Sequence, residues 1–349
     1  MLSPFDLITR FRNALYDHGV LSVYKSFLPV ISVGNISVGG NAKTPTCIGL
    51  LEYFLGQGRT PALILRGYGG SNKGPYEVRG SESSKEVGDE ALLYKTALPE
   101  LSIVVSRSRV AGIQYLERAG IADMVVLDDA LQHRALFRDL DIVSVDVSTE
   151  KAREAFKAGR VLPFGRFREH KDRALKRVNA VILAERRLKD SNSIPDVGQL
   201  NVENVFRSWF VAKGPREIFS SSNGQVDSSN QFNSGVAVSA IANPGGFHKT
   251  LEALGIKVAA KVTFSDHHEF TRKDIESINE NHPNLPKFCT EKDGVKLRQF
   301  PKELLQSWYE IPIGIEIEPR DDFYAYLETS LSHSSRSSNQ GEPETLGAP

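Results

Sequence analysis

The chain has 349 residues, enough for two domains with separate hydrophobic cores. Lysine plus arginine and aspartate plus glutamate both number 43, and this zero net charge argues against nucleic acid as a partner. Cys47 and Cys289 form no CxxC pair, no signal peptide opens the chain and no apolar run approaches roughly 20 residues, so we expect a cytosolic chain without a membrane span.

The first predicted element lies within residues 1–28 and is amphipathic. One or two helices are expected between residues 4 and 28, with basic residues beside an apolar stripe. The stripe consists of Phe5, Ile8, Phe11 or Arg12, and Leu15. A basic amphipathic helix can lie in a membrane interface, or it can pack on its own domain. The periodicity leaves both possibilities open.

A buried strand at residues 30–33 is followed by a glycine-rich loop, then Lys43, Thr44 and the start of a helix. This order is typical of a P-loop, where backbone N–H groups bind phosphate. The lysine reaches the β- and γ-phosphates, and the threonine hydroxyl ligates Mg²⁺. Pro45 suits the first helical turn, because its missing N–H has no partner there. The predicted nucleotide-binding residues are Ser37, Val38, Gly39, Gly40, Asn41, Ala42, Lys43 and Thr44.

This stretch departs from the usual G-x-x-x-x-G-K-[ST] pattern, because Ser37 and Ala42 replace both glycines. Ala42 adds a methyl group where backbone normally crowds phosphate, and it should adopt a positive φ only with strain. By itself the stretch is compatible with a nucleotide site or with an ordinary turn between a strand and a helix.

From residue 43 to residue 184 the chain alternates helices and β-branched strands. Continuous apolar strands separated by helices predict a doubly wound, mostly parallel sheet. The predicted strands are 61–65, 101–105, 124–128, 140–146 and 179–184, and the helix that starts at Thr44 should end near Gly56. Ligands of such sheets bind outside the carboxyl ends of the strands.

Polar clusters stand at several of these strand ends. Arg66 directly follows the second strand, and Asp128 and Asp129 end the strand MVVLDD, as a magnesium-holding acidic strand does in P-loop folds. Gln132 and His133 follow within one turn. Together with the Lys-Thr pair they predict a phosphate and metal site at one edge of the sheet.

Two further segments can be explained either by a purely structural role or by a functional one. Asp89 and Glu90 open a helix, where acidic residues can stabilise the N-terminus or take part in catalysis. Residues 160–177 form a local basic patch that includes Arg168. Such a run is usually a solvated helix face, but beside a phosphate site its arginines could hold substrate or γ-phosphate oxygens.

The C-terminal part begins after a strand-like segment at 205–212 and a polar loop at 220–234. A His-His pair at 267–268 has neither i,i+4 spacing nor a third ligand, so zinc is not expected. The predicted division is a helical segment 1–28, a P-loop domain 29–204, a linker 205–234, a smaller α/β domain 235–312, a return strand and terminal helix 313–329, and a disordered tail 330–349.

The motifs SVGNISVGGNAKTP, RGYGG, VGDEALL, LDDALQHR, IANP, F-x-DHHEFT and TEKD-x-V-x-L occur here in one order. In these motifs the chain resembles the tetraacyldisaccharide 4'-kinase family, the lipid A 4'-kinases of Gram-negative bacteria. The resemblance covers about residues 10–325. It implies a P-loop kinase domain beside a smaller α/β domain, joined by a two-stranded linker at 205–212 and 313–318.

The resemblance also implies an activity and a location. The enzyme would use ATP and Mg²⁺ to phosphorylate the 4'-hydroxyl of an acylated glucosamine disaccharide 1-phosphate. The product would be lipid IVA, an intermediate of lipid A biosynthesis. The enzyme would be a peripheral protein on the cytoplasmic face of the inner membrane, held there by the N-terminal helix.

Matched position by position, the family pattern makes Asp89 the catalytic base and His267 its partner from the second domain, with Lys43 and Arg168 as further catalytic residues. The residues matched to the metal are Thr44, Glu90, Asp128 and Asp129, and the other matched site residues are Arg66, Gln132 and His133. The segment that often reads LPAGPLREP differs here at Phe164, Arg166, Phe167 and His170.

Parts of the sequence are compatible with two other functions. A non-catalytic P-loop switch is favoured slightly by Ser37 and Ala42, but it needs no proton acceptor such as Asp89 and no partner such as His267. A GTP-dependent metal or cofactor chaperone predicts a Cys/His ligand cluster, which the sequence lacks.

Overall fold

The computed structural model describes residues 4–38, 42–188, 195–219, 232–266 and 268–338, which contain two β-sheets. The strands are β1 Val30–Gly34, β2 Pro61–Leu65, β3 Tyr76–Glu77, β4 Ser102–Val105, β5 Met124–Asp128, β6 Leu140–Asp146, β7 Ala180–Leu188, β8 Asn204–Ala212, β9 Arg216–Glu217, β10 Ser234–Ser239, β11 Lys257–Thr263, β12 Lys287–Thr290, β13 Trp308–Ile311 and β14 Ile313–Glu318. The helices are α1 Pro4–Asp17, α2 Lys43–Gly56, α3 Ser84–Val87, α4 Asp89–Ala97, α5 Arg109–Ala119, α6 Glu150–Ala158, α7 Lys171–Leu175, α8 Pro244–Ala253, α9 Arg272–Asn281, α10 Glu291–Leu297 and α11 Arg320–Ser338, with a 3₁₀ turn at Lys302–Leu305.

The larger sheet has the strand order β14-β8-β7-β6-β1-β5-β2-β4-β3. Its strands from β8 to β4 pair in parallel, and only the edge strands β14 and β3 are antiparallel. The predicted doubly wound, mostly parallel fold is therefore confirmed.

Both faces of this sheet are buried, which explains its continuous apolar strands. In β5, Met124 and Val126 belong to the cluster formed with α2, α4 and α11. Val125 and Leu127 pack with α5 on the opposite face. Helices on both faces thus fix the carboxyl ends of these strands, where the predicted site lies.

The smaller sheet has the order β11-β10-β12-β13-β9, with only β9 antiparallel. Strands β8 and β14 lead into it and out of it, and they pair antiparallel from Ile313 opposite Ala212 to Glu318 opposite Arg207. The domain limits 29–204 and 235–312 stay predictions, and most of the polar loop at 220–234 lies outside the described residues.

Helix α1 is shorter than the predicted helical segment 4–28, because it ends at Asp17. Gly19 follows with a φ of 70°, and the Leu15 carbonyl accepts the N–H groups of Val20 and Leu21. A glycine in this conformation ends a helix without strain. No helix among the described residues is both long and apolar enough to cross a bilayer.

The apolar stripe of α1 points away from the protein. Its buried residues Asp6, Thr9 and Asn13 are polar, whereas Phe5, Leu7, Ile8 and Phe11 are 39%, 54%, 68% and 69% exposed. Of the predicted stripe, Leu15 is half-buried. Helix α1 contacts its own domain through this polar side, since Asn13 donates to Glu169 and Arg134 donates to the Asn13 carbonyl. The membrane role of its exposed apolar side stays a prediction.

Helix α11 continues to Ser338, so a disordered tail from residue 330 is predicted too early. Leu331 is buried against the core that contains α2. The hydroxyl groups of Ser330 and Ser332 donate to the carbonyls of Tyr326 and Thr329, so these serines stay within the helix. Residues 339–349 lie outside the described part of the chain.

Candidate active site

The carboxyl ends of β1, β5 and β2 lie side by side, because these strands are parallel neighbours in the order β1-β5-β2. The P-loop follows β1, the Asp-Asp pair ends β5 and Arg66 follows β2. The sheet thus brings together three of the predicted polar clusters.

The P-loop leads into α2 at Lys43, one residue before the predicted start at Thr44, and Thr44 is the second residue of this helix. Ala42 adopts φ 57° and ψ 19°, so it takes the strained conformation usually left to glycine, which costs roughly 1–2 kcal/mol. Its carbonyl accepts two bonds from Thr46, at 3.1 Å from the backbone N–H and at 2.8 Å from the hydroxyl. The predicted residues Gly39, Gly40 and Asn41 lie outside the described residues.

The basic segment pairs with the first half of the P-loop. Ser37 forms a bridge with Phe167, and the Val38 N–H donates to the Arg166 carbonyl at 2.7 Å. The Arg168 N–H donates to the carbonyl of residue 36 at 2.8 Å. This backbone pairing places Arg168 beside the P-loop. The later residues Arg173 and Lys176 face solvent, as expected for a solvated helix face.

Asp129 is held by two cations. Arg168 Nη1 donates to both of its carboxylate oxygens at 2.9 and 3.0 Å, and Lys43 Nζ lies 3.6 Å from Oδ1. Gln132 accepts a weaker bond from Arg168 at 3.3 Å and donates to the Asn35 carbonyl at 3.0 Å. These contacts keep the cationic groups of Lys43 and Arg168 together at the mouth of the P-loop.

Asp128 lies in a different environment. It is buried, Tyr94 donates its hydroxyl to Oδ2 at 2.8 Å, and Oδ1 is buried with no hydrogen-bond partner in the described chain. Burial first, and then the charge of Glu90, raise the pKa of Asp128 to about 7, although Lys43 acts in the opposite direction. An unpartnered, buried carboxylate oxygen beside a P-loop is a natural ligand for a hard cation.

Asp89 and Glu90 begin α4, and they follow α3 rather than a strand. Gly88, with a φ of 88°, makes this start possible, since a Cβ there would lie 2.6 Å from the Tyr68 carbonyl oxygen. The RGYGG loop therefore packs directly on the N-terminus of α4. Asp89 is half-buried, and none of the described residues forms a hydrogen bond or ion pair with its carboxylate.

His133 is surrounded by positive charge. Burial, and then Arg109, Arg138, Arg66 and Arg12, lower its pKa to about 4, so its imidazole is neutral at physiological pH. Its Nε2 is buried and has no hydrogen-bond partner in the described part of the chain. The surroundings of His133 favour an anion.

Sequence reasoning missed Tyr94 and Arg109. Arg109 is only 3% exposed, and its guanidinium donates to the carbonyls of Ser106 at 3.1 Å and Asp128 at 2.9 Å. It therefore fixes the end of β5. The position of Arg109 as the first residue of α5 is not part of any sequence pattern that predicts a site residue. Tyr94 could have been predicted, because it lies four residues after Glu90 on the same helix face.

The second domain reaches the site through α10, which packs on α4. Lys296 of α10 donates to the His268 carbonyl at 3.0 Å, and His268 Nε2 lies 3.1 Å from Asp274 Oδ2. These contacts hold the loop that follows β11. His267, the predicted partner of Asp89, lies outside the described residues.

Comparison with known proteins agrees with this geometry. The family described as Tetraacyldisaccharide-1-P 4'-kinase matches residues 2–332. The chain belongs to this family. A tetraacyldisaccharide 4'-kinase of Aeromonas hydrophila is 33% identical over 358 residues, covering 99% of this chain and 95% of that protein. One from Haemophilus influenzae is 35% identical over 325 residues, covering 91% of this chain and 88% of the relative.

A solved structure has the same fold. The crystal structure of LpxK from Aquifex aeolicus in complex with ATP matches with a TM-score of 0.75 and 27% sequence identity. The match covers 94% of this chain and 96% of the other. The predicted roles of the site residues remain predictions, although the structure brings Lys43, Asp128, Asp129, Gln132 and Arg168 to one edge of the sheet.

Proposed function

We propose that this chain is an ATP-dependent kinase that phosphorylates the 4'-hydroxyl of an acylated glucosamine disaccharide 1-phosphate, a step of lipid A biosynthesis. Membership of the tetraacyldisaccharide-1-P 4'-kinase family supports the reaction. The observation that carries it in this chain is the convergence of Lys43 of the P-loop and Arg168 on Asp129. The half-buried Asp89 carboxylate at the start of α4, without a described partner, supplies the candidate base.

Proton transfer is the first task of the chain's own residues. A sugar hydroxyl is a weak nucleophile, so Asp89 would accept its proton as the bond to the γ-phosphoryl group forms. His267 would orient Asp89 and share the proton, as the family resemblance implies. Packing of α10 on α4 joins the two domains around this point and would help to exclude water.

Binding of the phosphates is the second task. Lys43 and Arg168, which both contact Asp129, would also contact the transferred phosphoryl group and stabilise its charge. Mg²⁺ fits the site because Oδ1 of Asp128 is buried and unpartnered in the described chain, and Thr44 and Glu90 would complete its protein ligands. When bound, Mg²⁺ supplies positive charge that neutralises the phosphate oxygens.

We further propose that α1 lies on the cytoplasmic face of the bacterial inner membrane. Its apolar side is exposed, and its polar side is fixed to the kinase domain, since Asn13 donates to Glu169 at 3.0 Å and Arg134 donates to the Asn13 carbonyl at 2.8 Å. The acyl chains would stay in the bilayer while the phosphorylated sugars reach the arginines around His133.

A phosphoryl-transfer assay tests the proposal. Purified protein, Mg²⁺ and ATP are incubated with the disaccharide 1-phosphate in detergent micelles, and mass spectrometry follows the gain of one phosphoryl group on the non-reducing sugar. Asp89→Asn is the matched control and should form almost no product. Nucleotide binding without any phosphorylated lipid would instead support the non-catalytic switch, which Asp89 and the family membership disfavour.

A further inference from the structure

Tyr94 is fully buried behind the end of β5. Its side chain is 0% exposed, and its hydroxyl donates to Oδ2 of Asp128 at 2.8 Å. The second oxygen of that carboxylate, Oδ1, is buried and has no partner in the described residues. The phenol thus leaves the carboxylate with one engaged oxygen and one free oxygen.

The position of Tyr94 in its helix connects three elements of the site. Tyr94 and Glu90 are four residues apart on α4 and share one face, which is directed at the end of β5. The same tyrosine interacts with Cys47 of α2, the helix that begins at the P-loop. The helix that carries Asp89 is therefore tied to both the acidic strand end and the P-loop helix through one side chain.

We propose that Tyr94 is a positioning residue that holds Asp128 with Oδ1 directed at the Mg²⁺ of the bound nucleotide. This inference rests on the proposed function, in which Asp128 ligates the metal. Asp129 is less suited to that role, because Lys43 and Arg168 already contact its carboxylate. Removal of a hydrogen-bonding group behind a metal ligand typically weakens metal affinity by about 10–100-fold.

The test is a titration with Mn²⁺, detected as the loss of the free-ion electron paramagnetic resonance signal, at saturating AMP-PNP. Tyr94→Phe removes only the hydroxyl and should raise the Kd for Mn²⁺ by about tenfold. The matched control is Tyr115→Phe, which removes a phenol that donates to the Glu77 carboxylate, also at 2.8 Å, on α5 and outside the Asp128 cluster. This control should bind Mn²⁺ like the wild type.

Kinetics provide a second readout. In Tyr94→Phe, raised Mg²⁺ should restore kcat, and the KM for the lipid should stay unchanged. If Tyr94→Phe has a lowered Tm, the titration is replaced by the rise in Tm that Mn²⁺ causes at saturating AMP-PNP, compared between Tyr94→Phe and Tyr115→Phe. Ligand binding stabilises the folded state by mass action, so this rise reports metal affinity.

The outcomes separate this inference from the proposed function. If Asp128→Asn binds Mn²⁺ as tightly as the wild type, Asp128 is not the ligand and the role of Tyr94 is overturned, whereas phosphorylated lipid in the transfer assay would still support the proposed function. If Asp128→Asn loses binding but Tyr94→Phe matches Tyr115→Phe in affinity or in Tm rise, only the role of Tyr94 is overturned.

Discussion

The buried Asp128 carboxylate should make this protein less stable as the pH rises. Its pKa is about 7 in the folded state and near its ordinary value of 3.8 in the unfolded state. Between those values the folded protein binds more protons, so the free energy of unfolding falls as the pH rises from about 4 to about 7. Asp128→Asn cannot ionise and should escape this loss.

The expected size follows from the pKa difference. A shift of about three units corresponds to about 4 kcal/mol once both states are ionised. Near pH 5 only about 2 kcal/mol of this cost is present, so the stability advantage of Asp128→Asn should grow by about 2–3 kcal/mol between about pH 5 and about pH 8. Tyr94 can still donate to the amide oxygen of the variant.

Urea unfolding of the wild type and of Asp128→Asn, near pH 5 and near pH 8 and without nucleotide, measures how their difference in free energy of unfolding changes with pH. Asp129→Asn is the neighbouring control: its carboxylate is partly exposed and contacts Arg168 and Lys43, so its removal should give no such gain. A stability difference between Asp128→Asn and wild type that does not change with pH would refute the reasoning. The stabilised variant should also lose kinase activity, since the unfavourable carboxylate is the one that would hold Mg²⁺.

Three further predictions test other parts of the site. Lys43→Ala should keep the fold but lower turnover by several orders of magnitude in the lipid phosphorylation assay, because positioning and charge drive phosphoryl transfer; near-normal turnover would remove the P-loop assignment. Replacing Ile8 and Phe11 together by glutamate should release the protein from lipid vesicles in co-sedimentation without lowering its melting temperature, because both side chains are exposed; unchanged vesicle binding would contradict the membrane role of α1. Asp89→Ala and His267→Ala should each lower kcat strongly, with the double variant little worse than the poorer single one and ATP affinity nearly unchanged; losses that multiply would show that the two residues act independently.

Much of the fold was predictable because the signals are local. Apolar β-branched runs such as Met124–Asp128, separated by helical periodicity, specify a sheet buried on both faces, and the Lys43-Thr44 pair after a glycine-rich turn specifies the helix start. Motif order was enough to indicate the family. Periodicity alone did not decide which side of α1 is buried, since an apolar stripe fits a membrane as well as a core.

Only the tertiary structure decided which environment each carboxylate of the site occupies. Asp128 and Asp129 are adjacent in sequence and look equivalent there, yet one is buried against Tyr94 and the other lies between Lys43 and Arg168. The sequence alone determined that two carboxylates end β5. Their different environments depend on α4 and the segment after α6, which approach β5 from distant parts of the chain, and burial and charge depend on distance in space rather than along the sequence.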